Sequence, residues 1–293
     1  MKFKIYILAI LLSSVIDRIY SQEYDSLIIN VVTYNIWYDN PSKIDQSWSN
    51  RKNGVIETLL EVDPDIFCVQ EALDHQVHDL EISSYKYFGA GRDDGEKGGE
   101  YSAIFYDTTK FKLTDGGNFW LSEFPDSAGS KGWDAMCVRI VSWVKLYDQK
   151  NHQVFYLFNT HFDHEGDTAR TESAKLLQRK INEIAKNHPV IVTGDFNCLK
   201  GLQPYEILVD SLNEKVLKDC RYSSQLQVSG PDYSFVGSEF SGSSGNIIDH
   251  IFVSYGFAVK QAFIDDNSTD RKYPSDHLPV VTILEMPKNS KYE

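Results

Sequence analysis

Asp195 and Asn197 stand two residues apart at the close of the apolar run VIVTGDFN. Asp, Asn and Gly suit the turn that ends a strand, so the pair alone says little. The arrangement recurs, however. Asn35 closes VVTYN, Glu71 closes IFCVQE and His161 closes YLFNTH. Asp249 and His250 interrupt IIDHIF, while Asp276 and His277 precede LPVVTIL. Strand ends on a shared sheet edge converge in space, so these runs would deliver carboxylates, amides and imidazoles into one cleft. Carboxylate and amide oxygens suit hard cations such as Mg²⁺, Mn²⁺ or Ca²⁺. A histidine backed by a carboxylate is held in one tautomer and exchanges protons near neutral pH. Neither a cysteine pair nor an HExxH helix offers the usual zinc pattern. His250 follows Asp249 directly, and the two-residue period of a strand turns it to the opposite face.

The elements that must position these residues read as follows. Strand-like runs, rich in β-branched and aromatic residues, are IINVVTYN, DIFCVQE, YSAIFYD, RIVSWVKL, QVFYLFNTH, PVIVTGDF, NIIDHIFVS and LPVVTILE. Helical patterns lie between them: RKNGVIETLLEV, a second after Asp167 with Ala174, Leu177, Ile181 and Ile184 on one face, and a third from about Pro204 with Tyr205, Leu208 and Leu212 inward. Many strands with few helices predict two sheets packed together with helices outside. No Gly-rich phosphate loop supports a dinucleotide-binding fold. The Gly- and Ser-rich pieces GRDDGEKGGE and SEFSGSSGN are short enough to be loops, so one domain is expected over residues 22–293.

At the N-terminus, Lys2 and Lys4 precede an apolar run from Ile5 to Ile16, with Ser21 placed for cleavage. This is the layout of a secretory signal peptide over residues 1–21, and the run is short for a membrane span. A secreted, monomeric protein is expected. Lys2, Lys4, Arg18 and Asp17 leave with that leader, moving the net charge from −13 to −15. Such acidity argues against nonspecific binding of a polyanion through a basic surface. It leaves a phosphate substrate open, because a bound cation reverses the sign locally. Cys68 and Cys137 lie in apolar runs as expected buried thiols, whereas Cys198 and Cys220 flank one predicted helix and are candidates for a bridge. Asn267-Ser268-Thr269 is a glycosylation sequon.

In order, TYN, VQE, NTHFDH, GDFN, IDHIFVS and SDHLPV resemble the motifs of the endonuclease/exonuclease/phosphatase superfamily, which includes deoxyribonuclease I, and they span Ile28 to Leu284. The resemblance implies a four-layered α/β sandwich with two mixed, mostly antiparallel sheets. It implies that Asn35, Glu71 and Asp276 hold the main divalent cation, Mg²⁺ or else Mn²⁺ or Ca²⁺. Asp195 and Asn197 match the pair that orients the attacking water and the phosphate and can bind a second metal. His277 matches the essential histidine with Asp249 as its orienting carboxylate, and His161 matches the other histidine of the cleft. Glu100 resembles the acid that pairs with His161. Arg139 falls where the deoxyribonuclease branch has a phosphate-contacting arginine, although an ion pair serves equally well there. Tyr101 is placed as a substrate-binding aromatic.

These expectations define a secreted, metal-dependent phosphodiesterase, with a nuclease as the first reading and a phosphatase or phospholipase-type esterase on a small phosphorylated molecule or lipid head group as the alternative. Leu73 occupies the position where the deoxyribonuclease branch carries a groove-entering arginine, which weakens a duplex-reading role. The W-C-D-R pattern of inositol phosphatases and the membrane hairpin of sphingomyelinases are lacking. The stretch GGNFWLSEFPDSAGSKGWDAMCVRIVSWVKL looks most like small secreted members of the superfamily. A binding protein that had lost catalysis would lack one of Glu71, His161, Asp195, Asn197, Asp249 or His277, and all are present.

Overall fold

The computed structural model describes residues 26–237, 246–266 and 273–288. The leader expected over 1–21, the sequon at 267–269 and most of the expected loop over 238–246 lie outside them. Among the described residues, twelve strands form two six-stranded sheets. The first holds, in spatial order, β11 (Ala258–Ile264), β12 (Val280–Met286), β1 (Leu27–Asn35), β2 (Ile66–Ala72), β4 (Tyr101–Asp107) and β3 (Tyr85–Phe88). The second holds β5 (Phe111–Trp120), β6 (Ile140–Asp148), β7 (Val154–His161), β8 (Val190–Asp195), β10 (Asp249–Val253) and β9 (Lys218–Asp219). Each sheet is built around one parallel pair, β1–β2 and β7–β8, flanked by antiparallel neighbours.

Alternation along the strands sorts the side chains into layers. Ile29, Val31, Ile66, Cys68 and Ile104 of the first sheet meet Leu146, Phe155, Leu157 and Ile191 of the second in the central core. On the outer faces, Phe67, Val69 and Phe105 pack against Val55 and Leu59 of α1 (Trp48–Val62), while Phe158 and Val192 pack against Leu177 and Ile181 of α3 (Asp167–Ala185). The result is the four-layered sandwich expected. A one-residue slip of β1 would trade buried Ile29 and Val31 for Ile28, which is half exposed, and Asn30, so burial pins the register.

Helix ends follow from local chemistry. The Asp39 carboxylate accepts the Trp48 N–H at the start of α1, which stops at Asp63 in a left-handed conformation before Pro64. Asp134 accepts the N–H groups of Thr168 and Ala169 in the first turn of α3. Two short helices complete the set used below, α2 (Asp74–Asp79) and α4 (Gln203–Val209).

Several sequence expectations need correction. Because α4 ends at Val209, Leu212 does not turn inward but stands 89 % exposed. Cys198 and Cys220 are separate buried thiols rather than a bridge. Cys137 is only half-buried and lies in a bend before β6. Strand β5 escaped notice because FKLTDGGNFW carries two glycines. A Cβ at Gly117 would stand 2.9 Å from the Trp143 indole nitrogen, so packing demands the residue that weakens the strand signal.

Candidate active site

Topology brings the ends together. Asn35, Glu71, His161 and Asp195 lie at the C-terminal ends of the parallel pairs, and the antiparallel neighbours β4, β6, β10 and β12 start at the same edge. Thus Glu100, Arg139, Asp249, Asp276 and His277 enter the cleft from their N-terminal sides. His161 pairs in register with Asp195, and Asp195 with Asp249. Gly194 sets the spacing beside them. A Cβ there would lie 2.3 Å from the Thr160 carbonyl oxygen, so only glycine lets β8 run this close to β7.

A hydrogen bond and an ion pair in series cross the cleft. Asp249 Oδ2 lies 2.8 Å from His277 Nδ1, and His277 Nε2 lies 3.6 Å from Asp195 Oδ2. Burial disfavours the charged imidazole, but Asp249 and Asp195 overcome it and hold the His277 pKa well above its ordinary value. Burial and the neighbouring Asp249 charge push Asp195 up to about 7. The backbone N–H of Asn197 donates to Asp195 Oδ1 at 2.9 Å and fixes that carboxylate.

Asn35 and Asn197 differ from the simple ligand expectation. The Asn35 amide nitrogen donates to Glu71 Oε1 at 2.9 Å and to Asp195 Oδ2 at 3.1 Å, while its oxygen accepts the Trp37 N–H. It therefore links the carboxylates rather than presenting oxygen to them. The Asn197 amide donates to the Phe162 carbonyl and approaches His161 Nε2, each at 3.0 Å. Asp195 Oδ2 lies 3.5 Å from the same nitrogen. Burial, with the charges of Arg139 and Arg92, keeps His161 well below its ordinary pKa and hence neutral.

The pairing expected of Glu100 with His161 is not formed. Glu100 is bound instead by the Arg92 guanidinium. His161 Nδ1 is buried without a hydrogen-bond partner, although both residues line one recess with Glu71, Arg92 and Arg139. Burial and the Glu71 charge raise Glu100 to about 7. Arg139 is 4 % exposed, with its Nε 3.5 Å from Asp163 Oδ2 and a terminal nitrogen 3.0 Å from His164 Nδ1. It is both the ion pair weighed above and a wall of the recess. Tyr101, expected as a substrate-binding aromatic, also lines this recess. Its ring is buried, and its hydroxyl is spent on Asp74 Oδ1 and the Glu96 carbonyl, each at 2.9 Å. His250 turns away as the strand period requires, bonded to Asp219 and to the Cys198 carbonyl.

Among the described residues, three groupings come into question for a cation; in one of them, Cys137, Asp163 and His164, the Asp163 carboxylate is already taken by the Met136 and Cys137 N–H groups and by Arg139. Ligand-type atoms of Asp195, Asp249 and His277 lie within 4.8 Å of one another, but both imidazole nitrogens of that trio are engaged in the series described. Glu71 and Asp276 fit better. Asp276 accepts a single long bond, 3.4 Å, from the Ser275 hydroxyl, and burial with the Glu71 charge raises it to about 6. Asp276, buried, and Glu71, half-buried, stand at one edge, and the Glu71 charge that raises Asp276 is one a hard divalent cation would relieve.

Sequence reasoning missed Arg51 and Arg92. Arg51, on α1, is buried and donates to the carbonyls of Ile36, Gln46, Trp37 and Pro274 at 2.7–2.9 Å. It ties the chain after Asn35 to the chain before Asp276. No pattern distinguishes it from a solvated lysine or arginine of a helix start. Arg92 sits in the glycine-rich loop, where its proximity to Glu100 eight residues later was the only signal.

The endonuclease/exonuclease/phosphatase family model matches residues 32–277. The chain is 39 % identical to an endonuclease/exonuclease/phosphatase of Bacteroides vulgatus, with a TM-score of 0.84 over 89 % of this chain and 99 % of that one. It is 37 % identical to a mannosyl-6-phosphatase of Bacteroides thetaiotaomicron, with a TM-score of 0.79 over 87 % and 99 %. An uncharacterized protein of Acanthamoeba polyphaga mimivirus is 25 % identical over 81 % of this chain and 92 % of its own length. The chain belongs to the endonuclease/exonuclease/phosphatase family, whose members are hydrolases of phosphoester bonds.

Proposed function

We propose that this phosphoesterase is a divalent-metal-dependent phosphatase acting on a small phosphorylated molecule, a sugar phosphate being the class to try first. One observation carries the reading. The recess beside His161 and Glu71 is narrow and is lined by the Arg92 and Arg139 guanidinium groups next to Glu100, which suits a compact anionic group better than a polymer. Three further facts support it: the chain's net charge of −13, Leu73 in place of a groove-entering arginine, and similarity to a phosphatase of a phosphorylated sugar. These move the preference away from a nuclease, which the same catalytic chain would also serve.

A cation held by Glu71 and Asp276 would polarise a phosphoryl oxygen and offset charge developing in the transition state. The remaining roles fall to the chain itself. Asp249 holds the His277 ring, so that Nε2–H can donate to a phosphoryl oxygen. Asp195, buried and raised toward neutrality, accepts a proton from the attacking water as the phosphorus–oxygen ester bond breaks and the leaving oxygen takes a proton from solvent, and the Asn197 N–H keeps the carboxylate in place. Arg139 and neutral His161 supply donors at the recess. Export through the leader over 1–21 belongs to the same proposal.

The mature chain, residues 22–293, tests it against sugar phosphates, p-nitrophenyl phosphate, its bis-ester, plasmid DNA and RNA, with EDTA as control. Metal-dependent release of phosphate from monoesters is expected, and preferential internal cleavage of polymers would restore the nuclease reading. Absence of turnover on every substrate overturns the assignment. A secreted product that does not begin at residue 22 overturns the leader.

A further inference from the structure

Glu71 should not reach the cleft at all by strand periodicity. Ile66 and Cys68 face the central core, Phe67 and Val69 the helix-covered side, and simple alternation puts Glu71 with the latter. Instead the β2–β4 register shifts between Val69↔Ala103 and Ala72↔Tyr101, so that Gln70 and Glu71 together oppose Ser102. This is a β-bulge. Glu71 takes φ 64, in the left-handed region, and its carboxylate turns to Asn35. Such a conformation costs a non-glycine residue about 1–3 kcal/mol and persists only where its surroundings impose it.

Asn159, on β7 of the opposite sheet, is placed to impose it. Its amide nitrogen donates to the carbonyls of Val69 and Ala103, each at 2.9 Å, which are the last regular pair before the bulge. Its oxygen accepts from Gln70 Nε2 at 2.7 Å, inside the bulge, and from Thr193 Oγ1 at 3.2 Å. Gln70 is tied in turn to Thr33 Oγ1 at 3.0 Å. Asn159 is fully buried, and both amide protons and two lone pairs are used. A side chain meant only to fill the core would be apolar at this position. This one spends every bond at the bulge or on its own sheet.

We propose that Asn159 is a positioning residue for Glu71, holding from the second sheet the bulge that aims this carboxylate at the cation. The role rests on the metal reading above. Partners one step behind a ligand typically tune metal affinity by about 10–100-fold. Asn159→Leu keeps the branched outline and removes all four bonds, and Phe155→Leu, at the far end of β7, is the control for general destabilisation of the core. Calorimetric titration with Mn²⁺ is expected to show at least tenfold weaker binding in Asn159→Leu and less than twofold in Phe155→Leu. If Asn159→Leu does not fold, Asn159→Ser, which keeps one donor and leaves room for water, takes its place. Equal weakening in the control and the Asn159 variant, or none in either, overturns the role while leaving the metal assignment standing. A wild-type chain that takes up no Mn²⁺ overturns both.

Discussion

Asp249→Asn isolates the catalytic chain, because it removes one charge and almost no volume. In the wild type, Asp249 Oδ2 meets His277 Nδ1 at 2.8 Å in a site where both residues are at most 4 % exposed. Two unit charges about 4 Å apart at an effective dielectric near 20 attract by about 4 kcal/mol. The asparagine oxygen can still accept the Nδ1–H, which returns about 1 kcal/mol as a neutral hydrogen bond. The net loss of about 3 kcal/mol corresponds to roughly a hundredfold in rate if the imidazolium is needed in the transition state. The assay is kcat on p-nitrophenyl phosphate with saturating Mn²⁺, alongside a thermal melt. A fall of about a hundredfold in kcat with an unchanged fold is expected. A variant retaining more than a fifth of wild-type kcat would refute the argument that Asp249 acts through His277.

Arg51→Met leaves four carbonyl oxygens without the donor that reaches them at 2.7–2.9 Å, a loss of about 3 kcal/mol or more by urea unfolding. A change under 1 kcal/mol would show that those loops stand without it. For His250, burial pushes the pKa down, but the Asp219 bond and charge more than offset this and hold it above 6.5. The folded chain therefore binds this proton more tightly than the unfolded chain. Its stabilisation is complete below about pH 6.5 and is lost as pH rises through the folded value. Melting temperature should fall more steeply with rising pH above that point in the wild type than in His250→Gln, and parallel profiles would refute the linkage.

The strand ends could be read because a polar residue closing an apolar run is conspicuous, and topology does the rest. Asn35, Glu71, His161, Asp195, Asp249 and His277 were all found this way, and the structure gathers them at one edge. The directions of their amides were not legible. Whether Asn35 offers oxygen or nitrogen depends on the Trp37 N–H two residues on, a three-dimensional fact. Asn159 illustrates the same limit. In YLFNTH it stands two residues before His161 and looks like another site residue, yet it faces inward to a bulge whose existence no local pattern announces. Tyr101 looked free because aromatics often line clefts, and only α2 supplies the Asp74 that occupies its hydroxyl. Arg92 and Glu100 meet across a glycine-rich loop whose path depends on its own close turns.

The distribution of roles between the sheets carries a consequence for catalysis. Glu71 and Asp276 come from the first sheet, and Asp195, Asn197, Asp249 and His161 from the second. His277, just ahead of β12, is the exception in reach, since its ring is held by Asp249 of β10. The reacting geometry therefore exists only while the sheets keep one alignment. Apolar contacts between Ile29, Val31, Leu157 and Ile191 are strong but non-directional, and they tolerate sliding. Hydrogen bonds from Asn159 to Val69 and Ala103, and from Gln70 back to Asn159, are directional and lie at the bulge that carries Glu71. A misplacement of about 1 Å between reacting groups can cost on the order of a hundredfold in rate. The core thus supplies the adhesion between the sheets, and this small buried network supplies the alignment that the cleft requires.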